Sequence, residues 1–291
     1  RKPARGCRAM SWLDRWRRRR RRWVIVTSAP KGEAAEQWGD TWFARDLADA
    51  LTDRGQSVRV VGRAGAARID EADVVLVLRG LTPIAPHGDA LWLLWVISHP
   101  ADVTAEETAG YAHVFAASRH WSRAGELGAQ PLLQATNPAR FRPGSAARDG
   151  RPLFIGSTRG TFRPIVRDCR AQGIDVEVHG VGWEAFLPET EIASSFVPNP
   201  ELPAAYARAP FVLNDHWADM ATEGFLSNRL FDAVASGARV VSDEAVGLTE
   251  VFGDSVRTYR DAKELPNLLR IDAFPDDAAR RVTAQRIARE H

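Results

Sequence analysis

The apolar residues of this chain fall into short unbroken runs separated by segments with helical spacing. Trp23 to Thr27 reads as a buried strand. A polar loop, Ser28 to Asp40, follows, and Thr41 to Arg54 has the pattern of an amphipathic helix stopped by Gly55. Ser57 to Val61, Asp73 to Leu78, Leu91 to Ile97 and His113 to Ala116 read as four more strands. Strands that are apolar on both sides and alternate with helices predict a parallel sheet covered on both faces. Ligands of such a sheet sit at the carboxyl ends of its strands. The loops there carry Gly39-Asp40, Arg79-Gly80 and Ser98-His99-Pro100.

Asn137-Pro138 and the segment Phe141 to Gly150, rich in Pro and Gly, read as a linker. A second α/β half begins at Arg151. Its strands are Leu153 to Ile155, Asp175 to His179 and Val256 to Tyr259, and its helices Phe162 to Gln172 and Pro203 to Ala209. The expected division is a leader over 1–22, a first domain over 23–143, a second over 144–273 and a final helix over 274–291. The chain is expected to continue past His291 in the intact protein.

Within the second half, Phe211 to Val241 is the richest stretch. Phe211 to Leu213 predicts a strand, and Asn214 to Gly224 is crowded with polar and titratable side chains. Ser227 is placed to cap a helix through its hydroxyl. Leu230, Phe231 and Val234 share one buried helical face, and Asn228 and Asp232 share another. Gly237 ends the helix, and Ala238 to Val241 returns to strand. The first-turn amides of Ser227, Asn228 and Arg229 have no helical acceptor and suit an anion. With Glu223 before the turn and Asp232 inside it, the pocket suits hydroxyls at one end and phosphate in the middle, as in a nucleotide sugar.

Charge changes the picture at one end only. Residues 1–22 hold eleven basic side chains against Asp14, a net of +10, so the chain's +2 leaves −8 for the rest. A net acidic body argues against a broad nucleic-acid surface. Residues 12–23 interleave Trp12, Trp16 and Trp23 with arginines, a pattern that suits an anionic membrane surface or a solvated leader. No apolar run reaches membrane-spanning length, and Cys7 and Cys169 have no metal spacing. The expected location is the cytoplasm, with peripheral contact at the inner membrane face.

Glu223-Gly224-Phe225, a spacer, an acid, then Ala233-x-Ala235-Ser236-Gly237 before an apolar strand resembles the donor-site signature of GT-B-fold glycosyltransferases. Asn228-Arg229-x-Phe231-Asp232 looks most like the CgeB-like, spore-maturation branch, as do Phe154-Ile155-Gly156-Ser157 and His179-Gly180-Val181-Gly182-Trp183. The family pattern has Glu at both ends with seven residues between; here the second acid is Asp232 and eight lie between. The resemblance covers roughly Trp23 to His291. It implies two Rossmann-like domains facing a central cleft, donor on the second and acceptor on the first.

On that resemblance, Arg159 and Arg163 are candidates to grip the donor diphosphate, each with a salt-bridged surface role as its alternative. Ser157, Ser227, Asn228 and Arg229 line the same loop and helix start. Glu223 is expected at the sugar hydroxyls and Asp232 at the ribose. Gly182 and Trp183 are candidates to border the base, with Trp183 equally suited to the core. Gly39 resembles the first-domain glycine that approaches the donor phosphate. His99 is a candidate for the transferred sugar or for general base, with His216 as its rival. No Asp-x-Asp occurs, so a metal-independent reaction with no cofactor beyond the nucleotide sugar is expected. The resemblance implies retention. The alternatives are a GT-B sugar-nucleotide epimerase or hydrolase, and a non-catalytic nucleotide-binding partner. Base, sugar and acceptor stay open.

Overall fold

The computed structural model describes residues 20–66, 69, 71–144 and 148–291, so the leader up to residue 19 and Ser145 of the linker lie outside the described residues. In the first half the elements are β1 (Arg22–Thr27), α1 (Gly39–Thr52), β2 (Ser57–Gly62), β3 (Val74–Arg79), β4 (Leu91–Val96), α2 (Ala105–Ala109), β5 (His113–Ala116) and β6 (Ala129–Pro131). All six strands run parallel in the order β2-β1-β3-β4-β5-β6. Every residue of β3 is buried, which is what its unbroken Val and Leu content requires of a central strand.

The second half runs β7 (Leu153–Ile155), α3 (Pro164–Ala171), β8 (Glu177–His179), β9 (Ile192–Ser194), α4 (Leu202–Arg208), β10 (Val212–Asn214), α5 (Ala218–Thr222), α6 (Asn228–Ala235), β11 (Val240–Asp243), α7 (Leu248–Phe252), β12 (Val256–Tyr259), α8 (Leu265–Leu268) and α9 (Asp277–Glu290). Its six strands are also parallel, in the order β12-β11-β10-β7-β8-β9. The edge strands β6 and β9 are three residues each and do not show in the hydropathy pattern. β10 and β11 extend one to two residues further into polar sequence than their apolar runs suggest, because Asn214 and Ser242 stay in the ladder. Ser227 does occupy the cap position of α6, but its hydroxyl makes no capping bond.

Two features set the halves against each other. Met220 and Phe225, from the loop around α5, pack into the first half's core, with Phe225 edge-on to Trp121 at 5.4 Å. Behind the cleft, the connecting segment is bonded to both sides. Gln134 Nε2 donates to Ile97 O and Leu226 O, Asn137 Nδ2 donates to Asp46 Oδ1, and Arg140 Nη1 donates to Asp46 Oδ2. The last helix, α9, packs on α6 through Ile287, and the His291 carbonyl accepts from Thr136 N.

Candidate functional site

Each sheet has one place where successive connections leave in opposite directions, between β1 and β3 in the first and between β7 and β10 in the second. A crevice opens at the carboxyl end of such a switch point. Here the two crevices face each other.

On the second half, the wall is the loop Gly156 to Arg163. Its backbone is held so closely that side chains are excluded: a Cβ on Gly180 would lie 2.3 Å from Gly156 O, and one on Gly182 would lie 2.4 Å from Thr158 Oγ1. Trp183 Nε1 donates to Gly156 O at 2.9 Å. The His179 to Trp183 motif is therefore the support of the loop. Trp183 is fully buried, edge-on to Phe154 and Phe162, so it does not border a nucleotide base.

Arg163 is committed to its own half. Its guanidinium forms a two-pronged pair with Asp215, Nε to Oδ2 at 3.0 Å and Nη2 to Oδ1, and Nη1 donates to Ser157 O. Both members are buried, so Arg163 braces the loop rather than offering a free charge to a diphosphate. Arg229 likewise turns under the sheet, donating to Asn214 Oδ1 at 2.9 Å and Ile155 O at 2.7 Å over the face of Phe154. Burial lowers its pKa. Arg159 is left as the cation of this loop that looks into the cleft. Enclosure of its guanidinium lowers its pKa, Asp40 of the first half pulls it back up, and Arg163 lowers it further.

His216 serves the helix start. Ser227 N donates to its Nε2 at 3.1 Å, so Nδ1 carries the hydrogen that goes to Asp243 Oδ1 at 2.7 Å. One of the three expected free amides is thereby taken, and those of Asn228 and Arg229 remain. Asn228 adds an acceptor there, since its Oδ1 is buried without a partner.

The two acids expected at the sugar and ribose are both engaged. Glu223 accepts from Ser122 N at 2.7 Å and Ser122 Oγ at 2.9 Å, and its carbonyl accepts from Ser118 Oγ at 2.6 Å. Its carboxylate thus clasps the first half, and Gly224 beside it needs its positive φ of 70° and its missing Cβ to fit against Ser118. Asp232 accepts from Thr136 Oγ1 at 2.7 Å and from Asn228 Nδ2 at 3.0 Å. Burial raises its pKa to about 8 against those bonds.

On the first half, His99 follows β4 and has a left-handed backbone. Its Nδ1 lies 3.0 Å from Ser98 Oγ, and its ring centroid lies 6.5 Å from that of Trp217. Burial lowers its pKa, Asp219 raises it and Arg159 lowers it, which puts both groups of the second half within electrostatic reach. Gly39 is open, with nothing within 4 Å of a Cβ built there. The close approach falls instead at Gly80, where a Cβ would meet Ser28 Oγ at 3.1 Å and Asp40 Oδ2 at 3.2 Å. Asp40, Ser28, Trp217 and Asp219 were missed as site residues. For Asp40 and Ser28 the available signal was position, since Ser28 directly follows β1 and Asp40 stands in the first turn of α1.

The segments after β2 and β3 form a shallow, open hollow of about 640 Å³ with Ala66, Pro83, Ile84 and Ala85 as apolar wall and Arg63 and His87 as polar groups. Among the described residues, no group of three or more His, Cys, Asp or Glu side chains is arranged to hold a metal ion. No helix of the described residues is long and apolar enough to cross a membrane.

Two parallel-sheet Rossmann-like halves facing one cleft define the GT-B fold of glycosyltransferases. Residues 158–291 match the family model described as glycosyl transferase-like. The fold is similar to that of AviGT4, a glycosyltransferase involved in avilamycin A biosynthesis, with a TM-score of 0.63 and 18% identity over 91% of this chain and 92% of that one. It is also similar to a sucrose-phosphate synthase from Thermosynechococcus elongatus, with a TM-score of 0.62 and 13% identity over 92% and 94% of the two chains. No curated protein matches the chain in sequence.

Proposed function

We propose that this protein moves a sugar from a nucleotide-sugar donor to an acceptor hydroxyl, with the donor on the second half and the acceptor on the first. The observation that carries this reading is Arg159, a cation in the Gly156 loop that lies within electrostatic reach of Asp40 and His99 of the first half. A departing nucleoside diphosphate gains negative charge as the glycosidic bond breaks. A fixed cation there helps the transition state more than the ground state. Charge-assisted hydrogen bonds contribute about 1.5–3 kcal/mol each, against about 0.3–1 kcal/mol for a helix terminus. Arg159 therefore outweighs the free amides of Asn228 and Arg229, and together they supply the positive charge without a metal.

The CgeB-like branch belongs to this proposal through Asn228-Arg229-x-Phe231-Asp232. So does a peripheral, cytoplasmic site of action through residues 12–23, which binding to anionic vesicles, lost on removal of 1–22, would test.

Thermal-shift screening against UDP, GDP, dTDP and CDP sugars tests the donor. A ligand at a hundred times its dissociation constant adds about 2.7 kcal/mol of stability. The expected result is a shift with one nucleotide class that Arg159→Ala abolishes. No shift with any of them sinks the reading. One observation favours a second reading: the carboxylates of Glu223 and Asp232 are spent on Ser122, Thr136 and Asn228. Nucleotide binding with no turnover of any donor would select a non-catalytic nucleotide-binding partner. Donor turnover to free sugar or isomer without an acceptor would select a hydrolase or epimerase.

A further inference from the structure

The end of the second half away from the cleft carries a basic cluster of its own. Arg239 directly precedes β11, whereas the donor loops follow the carboxyl ends of β7 and β10, so the two lie at opposite ends of one parallel sheet. Arg239 is 8% exposed, its Nε is buried without a partner, and among the described residues it makes no hydrogen bond. Its one ion-pair contact there is Asp277 Oδ1, 3.6 Å from its Nη2. The same carboxylate oxygen already accepts from Arg280 Nη2, and Arg280 is buried too. Arg280 Nε and Arg148 Nη2 both donate to Gly237 O, at 3.3 and 2.8 Å, which sets a third guanidinium beside them. Arg281, bonded to Gly144 O, adds a fourth charge. Burial, Arg280, Arg239 and Arg281 bring the Arg148 pKa down to about 10, and Asp277 opposes them. Four arginines against one carboxylate leave the cluster strongly positive, and a buried charge without a full partner costs stability. The cluster also meets the amino end of α9, a helix of 14 residues. Asp276 caps the amide of Ala279, and the amides of Asp277 and Ala278 have no helical acceptor.

We propose that this cluster is a phosphate-binding site separate from the cleft, formed by Arg239, Arg280, Arg148 and the first-turn amides of α9, in which the Asp277 carboxylate stands where a phosphate oxygen binds. The side chain of Asp277 is 74% exposed, so the place its carboxylate takes over the buried guanidiniums is open to solvent. Rotation of that side chain into water clears it. Asp277 brings one charge, most of it given to Arg280. A phosphate group brings about −1.5 to −2 at pH 7 and three acceptor oxygens, enough to serve Arg239 as well. Its hydrogen bonds to guanidinium are of the charge-assisted kind, and a helix amino end favours the same charge. The depth of Arg239 and Arg280 suits a small free phosphate or phosphate monoester better than the headgroups of a flat bilayer.

The test is thermal melting of the full chain in inorganic phosphate against chloride at matched ionic strength. Phosphate is expected to raise the melting temperature of wild type and of Arg159→Ala alike, which separates this site from the donor loop, and to leave Arg239→Gln unmoved. In chloride, Arg239→Gln is expected to melt no lower than wild type, because it removes a buried charge that lacks a full partner. Asp277→Ala, at an exposed side chain, is expected to bind phosphate about fivefold more tightly by calorimetry, the effect of removing one like charge at about 4 Å in water. No response of wild type beyond that to chloride, a response kept by Arg239→Gln, or one lost in Arg159→Ala overturns the site. Should Arg239→Gln melt lower in chloride, Asp277→Ala decides: phosphate affinity at or below that of wild type overturns the site. Binding to phosphatidate vesicles that requires Arg239, with no response to inorganic phosphate, overturns the small anion in favour of a lipid headgroup.

Discussion

His99 of the first half and Arg159 of the second lie within electrostatic reach of each other, and among the described residues they are the two non-glycine positions with a left-handed backbone, each at φ 52°. Both sit in loops that follow strand carboxyl ends. Strained backbone of this kind costs about 1–3 kcal/mol per residue and persists where the surroundings over-determine it. Glycine at either position relieves the strain and removes the side chain from the cleft. His99→Gly and Arg159→Gly are therefore expected to melt no lower than wild type while losing nucleotide-sugar turnover. His99→Val, with a branched Cβ in the same conformation, is expected to lose about 1–2 kcal/mol. Urea unfolding of the three variants checks this. Equal destabilisation by Gly and Val would remove the strain argument.

Arg163 and Asp215 form a buried pair, and removing one member strands the other. Arg163→Ala is expected to destabilise the protein by about 3–5 kcal/mol. Arg163→Met combined with Asp215→Leu is expected to cost much less, because no charge remains unpaired. Arg159→Ala, which breaks no ion pair and no hydrogen bond among the described residues, should leave stability nearly unchanged and weaken nucleotide binding instead. A thermal melt and a nucleotide titration on the same three proteins distinguish bracing from ligand binding.

Asp232 carries a pH dependence with a definite sign. The folded carboxyl keeps its proton up to about pH 8, while an unfolded aspartate releases it near about 3.9. Between those values the folded state binds the extra proton, so this group's contribution to stability falls as pH rises through the window. Thr136 and Asn228 oppose the shift by bonding the carboxylate, Arg140 also opposes it, and Asp46 adds to it. Asp232→Asn is expected to match wild type near pH 4 and to be the more stable protein at pH 8, by on the order of 5 kcal/mol. Chemical denaturation at the two pH values measures the gap. A constant gap contradicts the buried, protonated state.

Glu223 holds the halves together by three bonds, two to Ser122 and one to Ser118. Ser122→Ala removes one of them and Glu223→Ala removes two. With about 0.5–1.5 kcal/mol per neutral bond and more to a charged group, Glu223→Ala is expected to populate an open cleft. Small-angle scattering should show a larger radius of gyration without nucleotide, recovering when nucleotide is added. An unchanged radius would mean that Phe225 and Met220, packed in the first half's core, keep the cleft shut unaided.

The long buried strands were legible because an unbroken apolar run of five or six residues has few other uses in an α/β chain. The edge strands Ala129–Pro131 and Ile192–Ser194 were not, being too short and too exposed to leave a pattern. The loop at Gly156 and the helix at Asn228 were found from local motifs. What those motifs could not carry is which partner each side chain takes. Arg163 is satisfied by Asp215, 52 positions away, and Glu223 by Ser122, 101 away. Such choices depend on how the two sheets meet, and no local spacing encodes that. Asp40 was placed at the ligand end of the sheet by its position, but that it and Ser28 lie against Gly80 depends on the same tertiary packing.

Thr136 has a consequence for how the molecule can move. Its hydroxyl is bonded to Asp232 on the donor helix and its amide to the carbonyl of His291, while its neighbours Gln134 and Asn137 grip both halves. The clasp at Ser122 and the contact of His120 with Glu250 lie on the rim of the first half instead. Thr136 is thus placed as a hinge post and that rim as the swinging edge of a door: a rotation about the connector would part the rim first and would load the Thr136–Asp232 bond.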